Sequence, residues 1–246
     1  MTDHLPPLPP VDPSRAAAPA PATTLTPELL AGLLADGDDE LASWVLQSAL
    51  QEQRRAEVFD GILREAMAMV GKRWEEGRWT VAEEHLASQT ILRALDRIRL
   101  PAGPESRVGP LAVLAGVAGE HHGIGLLCLD QVLREEGWSV ANLGADVPAA
   151  DLVRFLARNH AELVALTASL PERLPSLRES IAAARAVRPA DPLSVMVGGS
   201  ITRDGALVAG LGVDWAGTSL VEAAAFAGGL VERAAARAVA EVPELP

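Results

Sequence analysis

Apolar residues recur every three to four positions through the N-terminal part of the chain and then gather into short unbroken runs. The first pattern predicts helices, the second buried strands. "TPELLAGLLADG" opens with Thr26 where an N-cap belongs and Pro27 at the first helical position, and Gly37 closes it. "DDELASWVLQSALQEQ" and "AEVFDGILREAMAMVGKRW" continue at helical spacing, the second predicting one stripe of Phe59, Leu63, Met67, Val70 and Trp74. Gly77 stops it. "TVAEEHLASQTILRALDRIR" restarts with Thr80 and Glu83 at capping-box spacing. On this last helix the spacing sets Val81, His85, Ser88, Leu92 and Leu95 on an inward stripe, flanked by Glu84, Ile91 and Ile98. Four such helices over 26–99 predict a bundle.

"LPAGPESRVG" reads as a linker over 100–109. Beyond it "PLAVLAGVAG" is a glycine-bounded aliphatic run of the kind that forms a buried parallel strand. Strand and helix patterns then alternate: "GLLCLDQVLREEG", "WSVANLG", "PAADLVRFLARNH", "ELVALTA", "LPSLRESIAAARAVR" and "LSVMVGG", with a further strand at "VDWAGT" and a closing helix. The predicted architecture is α/β: an N-terminal four-helix bundle followed, over 110–240, by a flavodoxin-like (Rossmann-type) doubly wound parallel sheet of about five strands. Ligands in such sheets bind beyond the carboxyl ends of the strands. That singles out the loops "GEHHGIG", "GADVP", "TASLPE", "GGSIT" and "AGTS".

Composition narrows the picture. Residues 1–25 are rich in proline and alanine and are expected to be a disordered tail, His4 included. A length of 246 residues suits two modest domains. The formal charge of −12 repels a phosphate backbone, so direct DNA binding is not expected. Cys128 is the single cysteine, which excludes an internal disulfide and a multi-cysteine zinc site. With no secretory leader pattern and no apolar run of about 20 residues, the expectation is a cytoplasmic protein away from membranes.

The chemistry concentrates in "GEHHGIG". A carboxylate beside an imidazole is a common way to present a metal ligand, because it fixes the tautomer and raises basicity. Glu120 and His122 form such a pair on paper. Alone, adjacent histidines after a strand read sooner as solvated loop residues. The loop, however, resembles the D-x-H-x-x-G motif of cobalamin-binding domains, with Glu120 replacing the usual aspartate, then His122 and Gly125. "TAS", Thr167 to Ser169, stands where that family has S-x-L, and Gly198-Gly199 matches its glycine pair. The resemblance implies that His122, not His121, is the lower ligand to cobalt. It also implies that the displaced nucleotide tail of the cofactor runs past the Thr167 hydroxyl and Ser169, with room left by Gly125, Gly198 and Gly199.

"WEEGRWTVAEEH" resembles the W-x9-EH motif, Trp74 followed by Glu84-His85, of the helical cap in adenosylcobalamin-dependent light-sensing regulators of the CarH type. Taken alone, these are also read as a structural tryptophan and a glutamate favoured at a helix N-terminus. By resemblance Trp74, Glu84 and His85 surround an adenosyl group above cobalt. Such regulators carry a DNA-reading module before the bundle, whereas only the tail precedes Thr26 here, so signalling through an unidentified partner protein or a homo-oligomer is expected. A histidine that follows the motif tryptophan in some of them is Glu75 in this chain. The likeness extends to photocobilins, which hold a bilin such as biliverdin beside the cobalamin; Trp44, Trp79 and Met67 or Met69 are then candidates to wall it. Cys128 reads as packing rather than bilin attachment. The expected role is a cobalamin photoreceptor, not an enzyme. Its alternative is a corrinoid protein of a methyltransferase system, whose cap turn usually reads closer to F-L-P-E-L.

Overall fold

The computed structural model describes residues 25–100, 109–189 and 193–240. The tail expected at 1–25, apart from Leu25, and the body of the expected linker lie outside the described residues. Helix α1 (Pro27–Asp36) begins where the Thr26 hydroxyl accepts the Leu29 N–H at 3.2 Å and ends where Gly37 turns left-handed at φ 74°. Helix α2 (Asp39–Ala49) is capped by Asp38. The next rod is continuous but irregular: α3 (Arg55–Val58), a π-helical turn over Phe59–Leu63, and α4 (Arg64–Glu75). Helix α5 (Val81–Arg97) opens with the reciprocal Thr80–Glu83 capping box. Leu30, Leu34, Leu46, Phe59, Ile91 and Leu95 are fully buried at the centre of these helices.

One predicted stripe stops short of its last residue, and another is corrected. The buried positions along the third rod are Phe59, Leu63, Ala66 and Val70, whereas Met67 is half-buried and Trp74 is 47% exposed. Met67 packs at the edge of the bundle core, and Trp74 follows Val70 by one turn on the same face but stands at the end of α4, where it is exposed. On α5 the buried positions are Ala87, Thr90, Ile91, Ala94 and Leu95, and Val81 and His85 are exposed. His85 lies about 200° around the axis from Ala87. The small Ala87 and Ala94 make the close helix approach, and a search for large apolar residues passes over them.

The remainder is a five-stranded parallel sheet in the order β2-β1-β3-β4-β5. Its strands are β1 (Leu111–Gly116), β2 (Ser139–Asn142), β3 (Ala161–Thr167), β4 (Ser194–Gly198) and the short β5 (Trp215–Ala216). Between them run α6 (Ile124–Glu135), α7 (Ala149–Arg158), α8 (Leu174–Val187) and α9 (Gly205–Val208), and α10 (Leu220–Ala240) closes the chain. A helical region followed by a doubly wound parallel sheet is the predicted architecture. The bundle core runs without a break into Cys128 and Val132 of α6 and Ala224 of α10. The helices therefore sit on the α6–α10 face of the sheet. Among the described residues, no helix is long and apolar enough to cross a membrane.

Candidate ligand site at the carboxyl edge of the sheet

Strand order reverses between β1 and β3, so their carboxyl ends diverge into a crevice. The loop after β1 carries Glu120 and His122, and the end of β3 carries Thr167 and Ser169. Glu120 turns inward and is 1% exposed. One of its oxygens accepts the His122 backbone N–H at 2.8 Å and pairs with His122 Nδ1 at 2.5 Å; the other accepts the Ser169 backbone N–H. Burial pushes its carboxyl upward, but the hydrogen bonds from His122 and Ser169 outweigh it and hold the group below its ordinary value. A carboxylate can only accept, so Nδ1 carries a ring proton, and in the neutral ring Nε2 is the nitrogen with the lone pair. The His122 side chain is 68% exposed. The result is an outward imidazole, oriented by a buried charge, with a free nitrogen donor.

His121 is exposed and does not border the cleft. Gly119 holds φ 80° and donates to Asp146 Oδ1 at 2.6 Å, which shapes the turn ahead of Glu120.

Beside His122 opens a cleft of about 290 Å³, between the strand ends and the π-helical turn of the bundle. Gly125, Thr167, Ser169, Gly198 and Gly199 all border it. The glycines are not equivalent. A Cβ on Gly125 meets nothing within 4 Å, and one on Gly198 only the Gly217 carbonyl oxygen at 3.8 Å, so both leave space that the protein itself does not fill. Gly199, at φ 95°, would place a Cβ 2.1 Å from the Ala168 carbonyl oxygen. The fold itself therefore requires that glycine, whatever room it also leaves. Ser169 takes part through its backbone N–H. Cys128 borders the cleft as a buried thiol whose pKa burial pushes up to about 12, assisted by the charge of Asp60, so it remains protonated.

Trp74, Glu84 and His85 do not line the cleft. Trp74 lies in the last turn of α4, and Glu84 and His85 lie in the first turns of α5, on either side of the connecting turn. Glu84 accepts from His85 Nδ1 at 2.6 Å and from the Ser88 hydroxyl at 2.7 Å, and the His85 side chain is 71% exposed. Trp74 follows Met67, which borders the cleft, by seven residues, two turns and about 10 Å further along the same side of α4. Trp79 stacks against the Arg73 guanidinium at 5.0 Å, and Trp44 lies at a separate shallow hollow with Gln47, Ser48 and Gln51, so the structure does not gather the candidate bilin residues. Sequence reasoning missed Asp60, which is 8% exposed in the π-helical turn and borders the cleft. Its one visible signal is a charged residue next to Phe59 in an otherwise apolar segment.

Residues 110–225 match the family described as B12 binding domain, and residues 28–99 match a second family with the same description. The HTH-type transcriptional repressor CarH of Myxococcus xanthus is 34% identical over 166 residues, 68% of this chain and 54% of that protein. Dimethylamine corrinoid protein 1 of Methanosarcina mazei is 26% identical over 157 residues, 63% of this chain and 73% of that protein. The chain spans about half the length of the repressors it matches. The solved structure of the Methanosarcina barkeri monomethylamine corrinoid protein superposes with a TM-score of 0.68 at 18% identity, covering 82% of this chain and 96% of that one, and shares the fold.

Proposed function

Because the chain belongs to a cobalamin-binding family, with a helical and an α/β B12 binding domain in series, we propose that it is a light sensor that holds adenosylcobalamin between the two. The observation that carries the reading is the Glu120–His122 pair, a donor nitrogen held outward by a buried carboxylate at the mouth of a glycine-edged cleft. His122 Nε2 is the ligand to cobalt. Gly125 and Gly198 leave the space for the displaced tail, and the Thr167 hydroxyl and Ser169 border its path. At about 290 Å³ the cleft lies at the low end of the ~300–1,000 Å³ usual for small-molecule sites, so it suits a tail and not a whole corrinoid. The rest of the cofactor would stand outside the cleft, where the exposed His122 would hold it.

When bound, adenosylcobalamin supplies a cobalt–carbon bond that light breaks. The chain's own residues provide the response. Trp74 offers a stacking face, and Glu84, with an oxygen on each of His85 and Ser88, offers a polar edge to ribose hydroxyls. These groups sit on the bundle, while His122 and the tail cleft sit mainly on the α/β unit, so a ligand touching both sets their relative position. Loss of the upper contacts changes that position, and the change passes to a partner protein or to a second copy of the chain. Trp44, Trp79 and the neighbouring methionines do not favour a bilin, because they are dispersed.

A second reading is a methyl-carrying corrinoid protein. The 73% coverage of the dimethylamine corrinoid protein favours it, against 54% for CarH. Absorption spectra of the chain loaded with adenosylcobalamin, before and after green illumination, separate the two. A photoconverted spectrum with a change in hydrodynamic radius supports the sensor; methyl transfer from a partner methyltransferase, without a light response, supports the carrier. His122→Ala is expected to lose histidine ligation while keeping the fold, and an unchanged spectrum refutes the assignment.

A further inference from the structure

We infer that Asp60 is a latch that closes the bundle onto the α/β unit beside the cleft, and that its carboxylate has Arg64 as an alternative partner when the latch opens. The seam between the two units is held unequally along its length. At the far end of α6, Arg54 pairs with Glu136, the buried Arg55 guanidinium donates to Gln131 Oε1 at 2.6 Å, and Gln131 Nε2 donates to the Leu95 carbonyl at 3.0 Å. Arg99 lies 3.6 Å from Asp130 nearby. At the cleft end, the polar bonds across the seam among the described residues are those of Asp60. Its Oδ2 accepts the Ser219 hydroxyl at 2.8 Å and the Val221 backbone N–H at 3.1 Å.

Those two donors open α10. Ser219 caps the helix from its own side by accepting the Glu222 N–H at 3.2 Å, and Asp60 supplies a second cap from the bundle, where a negative charge also suits the helix N-terminus. The π-helical turn Phe59–Leu63 sets Asp60 at this position. Such turns recur at functional sites, because the extra residue re-aims its neighbours.

The other carboxylate oxygen is left incompletely satisfied in the closed arrangement. Oδ1 is buried without a hydrogen-bond partner, and Arg64 Nη1 stands 3.9 Å away on a half-exposed side chain. A buried acceptor without a donor disfavours the closed form. When the seam opens, Arg64 can close on Oδ1 and water can take over Ser219 and Val221. The residues of this latch also wall the cleft: Phe59, Asp60 and Arg64 on one side, Ser219 and Leu220 on the other. A ligand that fills the cleft therefore acts on the latch directly. This last step rests on the reading that the cleft takes a corrinoid tail.

Hydrogen exchange of the ligand-free chain, resolved to peptides, tests the latch. In Asp60→Ala the amides at the start of α10 are expected to exchange about 10- to 100-fold faster, with Asp60→Asn intermediate and the 131–136 peptide unchanged. Arg64→Ala, which removes the competing partner, is expected to slow the same α10 amides. Hydroxocobalamin is expected to protect them in the parent and to dissociate faster from Asp60→Ala. Equal acceleration at α10 and at 131–136, or none at α10, overturns the latch; unchanged or faster α10 exchange in Arg64→Ala overturns the partner exchange. If hydroxocobalamin fails to bind the parent chain, the corrinoid reading fails, and the ligand-free exchange pattern still decides the latch.

Discussion

Replacing Glu120 by glutamine keeps the shape of a buried side chain and removes its charge. The carboxylate accepts three N–H bonds, two from His122 on one oxygen and one from Ser169 on the other. A glutamine amide has a single acceptor oxygen. With that oxygen toward His122, its NH₂ group meets the Ser169 N–H. With the oxygen toward Ser169, the NH₂ group meets the His122 backbone N–H, and Nδ1 must become an acceptor, which moves the ring proton to Nε2. One buried donor is left unpaired in either case, at about 1–3 kcal/mol, and the surviving bonds fall from about 1.5–3 to about 0.5–1.5 kcal/mol each. The bonds share one group and do not add, so a loss of about 3 kcal/mol is expected. In a chain of this length that lowers the melting temperature by about 6–12 °C. Thermal and urea unfolding of the ligand-free chains measures it, and nitrogen NMR of the His122 ring reports the tautomer. A variant that melts within about 2 °C of the parent and keeps the proton on Nδ1 refutes the reasoning.

The glycines separate fold from ligand. Gly125→Ala places a methyl in open space within the first turn of α6, so stability should hold or rise by up to about 1 kcal/mol, while hydroxocobalamin should bind about tenfold or more weakly because its tail is crowded; equal affinity places the tail elsewhere. Gly199→Ala meets the Ala168 carbonyl oxygen at a positive φ and should cost more than about 2 kcal/mol in urea unfolding without ligand. At Asp39 the hydrogen bond from Arg93 is the main cause, with Arg97, of a carboxyl held below its ordinary 3.8. The stability it contributes is fully present above that value and is lost as pH falls through the lowered one. Asp39→Asn should therefore melt below the parent at neutral pH and match it in strong acid; a deficit that persists in acid contradicts the ion-pair origin.

Much of the fold was legible because local chemistry and tertiary structure agree. Thr26 and the Thr80–Glu83 box start the helices their spacing predicts, and the alternation beyond Leu111 leaves a parallel sheet as the natural arrangement. Glu120 and His122 were legible because a two-residue spacing across a tight loop lets one side chain reach the other. The π-helical turn was not legible, because nothing in "FDGIL" distinguishes it from ordinary helix before α10 packs against it. The facing of α5 was misread because the small Ala87, Thr90 and Ala94 share its buried side with Ile91 and Leu95 and carry no strong apolar signal. Asp60 escaped notice because its partners lie about 160 residues away, at the start of α10.

The two functional readings share one half of the site and differ in the other. Lower ligation needs only Glu120, His122 and the glycine-edged cleft, and those groups serve a methyl carrier as well as a light sensor. The cleft is too small to enclose a corrin, and in the proposed reading the upper ligand would meet the end of α4 and the start of α5. Those segments carry the exposed Trp74 and the hydrogen-bonded Glu84–His85 pair. A small methyl group gains little from an exposed indole and a carboxylate, whereas an adenosyl group offers an aromatic face and two ribose hydroxyls to them. Substituting Trp74 or Glu84 is therefore the change that separates the readings: it should weaken adenosylcobalamin selectively over methylcobalamin in a sensor, and affect both alike in a carrier.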